Sequence, residues 1–167
     1  MDGSTSTTKN TPLSIKRSEP VKLLYKLETF GQNHVNDPQW INLFKIAYYD
    51  TQFGRYDPDF DDYIRLQQDG RLVLLSASDR FCLIGYTFHS IWRHYNDRTM
   101  LMAQRRSQCV LPEYRGQGIA TKMLELSHEE LRRRGVHKVL LNDRGMHRDY
   151  LRKIGYTRLE TVYCKDL

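Results

Sequence analysis

The chain has 167 residues, enough for one domain with a single core, and its hydrophobic content of 40% suits a globular fold. No apolar run approaches the length of a membrane span, and the N-terminus lacks the apolar stretch of a signal peptide. The net charge is +6, and residues 101–167 account for all of it, with 14 of the 26 Lys and Arg residues but 8 of the 20 Asp and Glu residues. We therefore expect a cytoplasmic protein that binds no membrane and whose basic C-terminal part attracts phosphate-bearing ligands.

The chain begins with a segment that we expect to form no stable structure. Residues 1–19 are rich in Ser, Thr and Asn and cannot bury enough apolar surface to offset the entropy lost on ordering. This predicts a flexible tail at 1–19 and a single domain over 20–167. The first strand is predicted at Val21–Leu27, and two helices follow, each opened by an Asp-Pro pair. They run from Asp37-Pro38 to about Tyr49 and from Asp57-Pro58 to about Gln68.

Three strands come next. They are predicted at 71–76, 81–92 and 100–111, with turn residues at 76–80 and 96–97 between them. A helix follows over about 118–134, capped by Gly135, and then a strand at 136–142. A short helix at 147–154 and one or two strands at 156–165 complete the order β-α-α-β-β-β-α-β-α-β.

The junction between the third of these strands and its helix is the most informative segment. The apolar run Cys109-Val110-Leu111 meets Pro112, and an arginine–glycine loop leads into the helix. Gly116 and Gly118 let the backbone approach a bound group closely, and a helix N-terminus presents free N–H groups and a positive dipole end. This combination predicts a phosphate site, although the loop has neither the Lys-Ser/Thr of a P-loop nor the third glycine of a Rossmann turn.

Residues 110–120, Val-Leu-Pro-Glu-Tyr-Arg-Gly-Gln-Gly-Ile-Ala, resemble the acyl-CoA loop of the GNAT N-acetyltransferase superfamily. That loop follows the pattern Arg/Gln-x-x-Gly-x-Gly/Ala, whose fixed places are filled here by Arg115, Gly118 and Ala120. The element order over residues 21–167 is also that of the family. The resemblance implies an α+β fold, in which about four helices flank a mixed, mostly antiparallel central sheet. The sheet is expected to split between the strands on either side of the third helix.

The resemblance also implies acetyl-CoA as the acyl donor and direct attack by the acceptor amine, without an acyl-enzyme. The residues expected to contact the donor are Cys109, Val110, Leu111, Arg115, Gly116, Gln117, Gly118, Ile119, Ala120, Thr121 and Asn142. No metal is expected, because the six histidines show no ligand spacing with cysteine or carboxylate. Three cysteines, an odd and widely spaced set, indicate a reducing compartment rather than a disulfide framework.

Two catalytic residues are suggested, Tyr150 and His89. Many family members use a tyrosine as the acid that reprotonates the thiolate, four residues before the glycine of a Gly-aromatic pair. That place falls on Leu151 here, so Tyr150 lies one residue early and half-buried packing is an equal alternative. The family carboxylate on the strand before the loop is replaced by glutamine, which leaves His89 and His94 as candidate bases. Most histidines in proteins have ordinary structural or surface roles, so such a role is a better expectation for each of these two than that of a base.

The acceptor site is expected around the first two helices, where aspartates and tyrosines cluster. Tyr49, Tyr56, Asp57 and Asp59 are the predicted substrate-binding residues. A rim of carboxylates and phenols favours a cationic amine, either a small molecule or a lysine or N-terminal amine of a protein. The aspartates could equally serve as helix caps.

Two other functions compete with acetyl transfer. One is a catalytically weak protein on the same fold that binds a protein partner, and the ending Glu160–Leu167 resembles small family members carried by tailed phages, which would place it in the host cytoplasm. The other is nucleic-acid binding through the basic segment, which is less favoured because no basic run is interleaved with aromatic residues. The sequence leaves the oligomeric state open, a dimer included.

Overall fold

The computed structural model describes residues 22–50, 56–80, 82–142 and 148–159, and within them one sheet of five strands is flanked by helices. The strands are β1 (Leu23–Glu28), β2 (Leu72–Asp79), β3 (Cys82–His94), β4 (Asp97–Val110) and β5 (Val136–Leu141). The helices are α1 (Gln32–Asn36), α2 (Pro38–Tyr49), α3 (Phe60–Gln68), α4 (Ile119–Arg133) and α5 (Arg148–Lys153). A turn of 3-10 helix, Pro112–Tyr114, lies between β4 and α4.

The strands lie in the sheet in chain order, β1-β2-β3-β4-β5. The first three pairings are antiparallel. β4 and β5 are parallel because the crossover helix α4 returns the chain to the end of the sheet at which β4 begins. The expected α+β fold with a mixed, mostly antiparallel sheet is confirmed.

Both faces of the sheet are covered, so β2 is buried from Leu72 to Ala77. On one face Leu72 and Leu74 pack with α2 residues such as Phe44 in an aromatic cluster. On the other face Leu75 packs against Met123 of α4. Alternation along the strand therefore divides the core into one half under α2 and α3 and another under α4.

The expected split in the sheet lies beside α4. β4 pairs with β5 only over Leu101–Arg105, whereas it pairs with β3 as far as Val110. In the described part of the chain, residues 106–110 of β4 thus have no neighbour on the β5 side. The segment that leads into the loop borders a gap rather than another strand.

Several boundaries differ from the sequence prediction. The expected turn at 76–80 is mostly strand, because β1 pairs with β2 as far as Asp79. The second helix starts at Phe60 instead of Asp57-Pro58, because the carboxylate of Asp59 accepts the hydrogen bond from the Asp62 N–H that begins it. The five-residue helix α1 was not predicted. Residues 156–159 contain no strand, and 160–165 and the predicted tail at 1–19 lie outside the described residues.

Candidate active site

The loop between β4 and α4 has the geometry of an anion site. Gly116 and Gly118 both have φ of 76°, in the left-handed region, and a Cβ added to either would meet nothing within 4 Å. Gly118 is the N-cap of α4 and, as a glycine, offers no side chain to cap it; the first turn starts with the bond from the Lys122 N–H to the Gly118 carbonyl. The N–H groups that precede Lys122 therefore have no partner within the helix, which fits a diphosphate site.

Arg115 holds this loop in place. Its Nε donates to the carbonyl of Val110 over 2.9 Å, and its Nη2 lies 2.7 Å from a carboxylate oxygen of Asp50 at the end of α2. The Tyr114 hydroxyl donates to Asp79 on β2 over 2.9 Å and gives a second anchor. The Arg115 side chain is thus directed at the protein, so its expected contribution to donor binding comes from its main chain.

The other residues expected to contact the donor lie in three environments. Gly116, Gln117 and Gly118 are exposed on the loop, and Asn142 is exposed just after β5. Ile119 is buried in the core under α4, so only its backbone remains for a ligand. Cys109 is also buried, and its desolvation raises the pKa of the thiol to about 11, which keeps it protonated.

A β-bulge lies where the sheet splits. Phe88 of β3 is opposite Ser107, and the next residue, His89, is opposite Arg105, so Arg106 is an extra residue on β4. Arg105 is also the last β4 residue paired with β5. Arg106 therefore has no ladder partner on either described neighbouring strand. Bulges of this kind redirect side chains and leave backbone groups free beside active sites.

Tyr150 of α5 reaches the first turn of α4. Its hydroxyl lies 2.8 Å from the hydroxyl of Thr121, one of the residues expected to contact the donor. The offset by one residue from the family position therefore does not turn this ring away from the loop. The turn after α5 contains Gly155 at φ of 88°, and the N–H of Tyr156 donates to the carbonyl of Leu151.

His89 lies in the core next to His128 of α4. It is fully buried on the sheet face under α4, with its ring 6.2 Å from that of His128, and neither ring nitrogen has a hydrogen-bond partner within the described ranges. Desolvation, with lesser effects from His128 and Arg105, lowers the pKa of His89 to about 3. A sealed imidazole with so low a pKa is a poor proton acceptor, and this placement disfavours His89 as the base.

An open pocket of about 330 Å³ lies on the opposite face of the sheet, under α2 and α3. Its floor and walls are mostly aromatic, and its polar lining includes Asp57, Arg106 and Ser107. The Ser107 hydroxyl is 2.8 Å from that of Tyr86, whose ring is buried in the floor. The pocket therefore meets the sheet at the bulge, which is the end of the split.

The predicted substrate-binding residues divide between this pocket and other roles. Tyr56 and Asp57 line it. Asp59 caps α3, and Tyr49 is 67% exposed with its ring against Tyr48. Asp50, another member of the predicted acidic rim, pairs with Arg115.

Three polar residues of β4 near the split were not predicted. Arg106 and Ser107 line the pocket, and the amide of Gln108 donates to the Ala120 carbonyl over 3.1 Å while accepting from Arg105 over 2.6 Å. The available signal was the contrast in length between β4, with 14 residues, and β5, with 6. A strand that extends beyond its neighbour leaves polar backbone groups unpaired on that side, and in β4 polar side chains lie along the same stretch.

Within the part of the chain that the structure describes, no group of three or more His, Cys, Asp or Glu residues is placed to hold a metal ion. Among the helices seen in these ranges, none has the length and apolar character needed to cross a membrane.

Comparisons with known proteins agree with this geometry. The family model for the acetyltransferase (GNAT) family matches residues 38–156, which is more than half of the chain. No curated protein matches at a significant level.

Similar solved structures share the fold at low sequence identity. An acetyltransferase from Clostridium acetobutylicum, solved with acetyl-CoA, has a TM-score of 0.68 at 18% identity, covering 87% of this chain and 96% of its own. Glucosamine-6-phosphate N-acetyltransferase from Arabidopsis thaliana has a TM-score of 0.68 at 15% identity, covering 86% and 98%. An aminoglycoside acetyltransferase from an uncultured soil sample, solved with sisomicin, has a TM-score of 0.65 at 18% identity, covering 86% and 95%. The chain therefore belongs to the acetyltransferase (GNAT) family.

Proposed function

We propose that the chain is an N-acetyltransferase that moves an acetyl group from acetyl-CoA directly to a primary amine on a small molecule or a protein. The observation that carries this proposal is the glycine N-cap of α4, preceded by a second left-handed glycine with open space around it, beside the split between β4 and β5. Neighbours of the same fold solved with acetyl-CoA or CoA support the choice of donor.

The donor's diphosphate would be held by backbone N–H groups of residues 116–121. These groups lie at the positive end of the α4 dipole, which favours an anion, and Arg115 keeps the loop in position through Val110 and Asp50. Bound there, acetyl-CoA supplies an activated thioester carbonyl. Residues 106–110 of β4 border the gap in which the arm of the donor would lie.

The backbone at Arg106 is suited to stabilise the charge that develops on the carbonyl oxygen. Because the bulge removes Arg106 from the ladders, its polar backbone groups are available to a reacting group at the end of the gap. A backbone N–H group that the sheet already holds in place needs no reorganisation during the reaction. Hydrogen-bond donors fixed in this way lower the barrier by stabilising the developing charge.

Tyr150 is suited to protonate the departing thiolate. Its hydroxyl lies 2.8 Å from that of Thr121 in the first turn of α4, beside the proposed diphosphate loop. An acid placed in this way typically contributes a factor of roughly 10²–10⁴ to the rate. The contact with Thr121 removes one of the two reasons for a catalytically weak protein, the offset of Tyr150, and leaves the other, the glutamine in place of the family carboxylate.

The experiment is a reaction of the purified protein with acetyl-CoA and a pool of primary amines. The pool contains polyamines, aminoglycosides, amino acids, and peptides with a free lysine or N-terminus. Mass spectrometry should find at least one product heavier by an acetyl group, and thiol release should match it in amount. Calorimetric binding of acetyl-CoA with no product across the pool would instead favour a binding protein on this fold.

A further inference from the structure

The pocket under α2 and α3 has walls that favour a flat apolar group. Its lining residues include Phe44, Phe60, Tyr63, Tyr86 and Phe88. The rings of Phe44 and Tyr86 meet edge to face with centroids 5.1 Å apart, so the walls form one continuous aromatic surface. Such surfaces stabilise aromatic and large aliphatic groups by burying their area and by ring contacts.

The size of the pocket restricts what can enter it. At about 330 Å³ it lies at the lower end of the range of roughly 300–1,000 Å³ found for ligand sites. A body about the size of one amino-acid side chain fits this space, whereas a multi-ring sugar or a folded protein surface would remain largely outside it.

The polar lining carries one charge of each sign. Asp57 and Arg106 are both exposed, and within the described ranges neither side chain makes a hydrogen bond or an ion pair with another residue. Asp50 and Asp59 are engaged elsewhere, with Arg115 and at the cap of α3. A polycation would therefore meet one unpaired carboxylate beside one unpaired guanidinium, which is a weak basis for binding it.

Arg106 connects the pocket to the reaction site. As the bulge residue it lies at the end of the gap between β4 and β5, and it also lines the pocket. A carboxylate bound by its guanidinium would bring an amine on the neighbouring carbon next to the gap. The same molecule could then place its side chain against the aromatic walls. An α-amino acid has this arrangement of carboxylate, amine and side chain.

We propose that the acceptor is an α-amino acid with an aromatic or large aliphatic side chain, bound through its carboxylate by Arg106. This inference rests on the acetyl transfer proposed above. The amine nitrogen forms a bond to the acetyl carbon as the carbon–sulfur bond breaks. The amine loses one proton and the departing thiolate gains one, so the products are the N-acetyl amino acid and free coenzyme A.

The experiment compares kcat/KM for matched acceptors. Phenylalanine and phenethylamine differ only by the carboxylate, and glycine keeps the carboxylate but lacks the side chain. Spermidine and an aminoglycoside represent polycations. The wild type is measured beside Arg106→Gln and a control, Arg98→Gln, which changes another exposed arginine of the same strand away from the pocket. Acetyl-CoA titration of each variant reports on folding and donor binding.

Phenylalanine should exceed both glycine and phenethylamine by at least about tenfold, as expected for a buried ring and for a charge-assisted bond. Arg106→Gln should reduce the ratio of phenylalanine to phenethylamine by about tenfold, and Arg98→Gln should leave that ratio unchanged. Preference for spermidine or the aminoglycoside, or an unchanged ratio in Arg106→Gln, overturns the inference but not acetyl transfer. Absence of product from every amine, despite acetyl-CoA binding, counts against acetyl transfer itself.

Discussion

Replacing Gly118 by leucine should separate donor binding from fold stability, because Gly70 offers a matched control. Gly118 has φ of 76° and Gly70 has φ of 69°, and a Cβ at either would meet nothing within 4 Å. Each glycine lies at a helix end, Gly118 before α4 and Gly70 after α3. Leucine therefore introduces similar backbone strain at both places, and only Gly118 lies on the proposed acetyl-CoA site.

The expected magnitudes follow from this geometry. A non-glycine residue in the left-handed region costs roughly 1–2 kcal/mol, so each variant should melt about 2–8 °C below the wild type. Leucine at 118 also fills the open space in front of the α4 N–H groups. Acetyl-CoA affinity should therefore fall at least about tenfold in Gly118→Leu, which equals about 1.4 kcal/mol, and should be unchanged in Gly70→Leu.

Isothermal titration with acetyl-CoA and thermal melting, each on the wild type and both variants, provide the test. The two measurements are needed together, because a general loss of folded protein would lower the binding stoichiometry in both variants. If Gly118→Leu melts as expected yet binds acetyl-CoA within about twofold of Gly70→Leu, well under 1.4 kcal/mol, the loop does not hold the donor.

Three further outcomes are expected. Tyr150→Phe should lower kcat by roughly 10²-fold with little change in acetyl-CoA affinity, because the proposed acid is lost. The control Tyr95→Phe, at a side chain that is 93% exposed, should keep the wild-type kcat. Equal kcat values in the two variants would show that Tyr150 is not the acid. His89→Leu should keep kcat within about threefold and raise the free energy of unfolding by about 1 kcal/mol, because it removes a buried imidazole that has no hydrogen-bond partner among the described residues. A large drop in kcat at unchanged stability would instead identify His89 as the base. Glu130→Gln should lower the free energy of unfolding by about 2 kcal/mol at neutral pH, because hydrogen bonds from Arg133 and Arg134 depress the pKa of Glu130 from 4.5 to about 2. That difference should persist above pH 4.5 and vanish as the pH falls towards 2, so denaturant unfolding that shows an equal difference at both ends would contradict the assignment.

Most of the fold could be predicted because local signals and tertiary packing agree. Asp37-Pro38 predicted the start of α2, and the Asp37 carboxylate accepts from the Gln39 N–H as an N-cap should. The same Asp-Pro signal misplaced the start of α3. The N-cap is Asp59, whose carboxylate accepts a hydrogen bond from the Asp62 N–H, rather than Asp57. Two caps of equal propensity two residues apart cannot be ranked without the packing around them.

The turn expected at 76–80 failed for a different reason. Ser76, Ser78 and Asp79 have the composition of a turn, yet they extend β2 because β1 pairs with all three. Pairing with a distant strand overrides local preference, and that partner is not visible in a short window of sequence.

The loop before α4 was recognisable in the sequence because two glycines lie just ahead of a predicted helix. Gly116 and Gly118 both adopt the left-handed conformation, which glycine tolerates without steric cost. The pocket under α2 and α3 could not be predicted in the same way. It depends on the bulge at Arg106 and on aromatic residues from α2, α3 and β3, which are far apart in sequence.

The most direct test of the central claim follows the acetyl group itself. The protein is incubated with acetyl-CoA carrying a ¹³C-labelled acetyl group and with the amine pool, and mass spectrometry tracks the label while free thiol is counted. The account predicts labelled N-acetyl product equal in amount to released thiol and exceeding the enzyme over many turnovers, with strong suppression in Gly118→Leu. Thiol release without labelled amine, or equal labelling by Gly118→Leu, would contradict it.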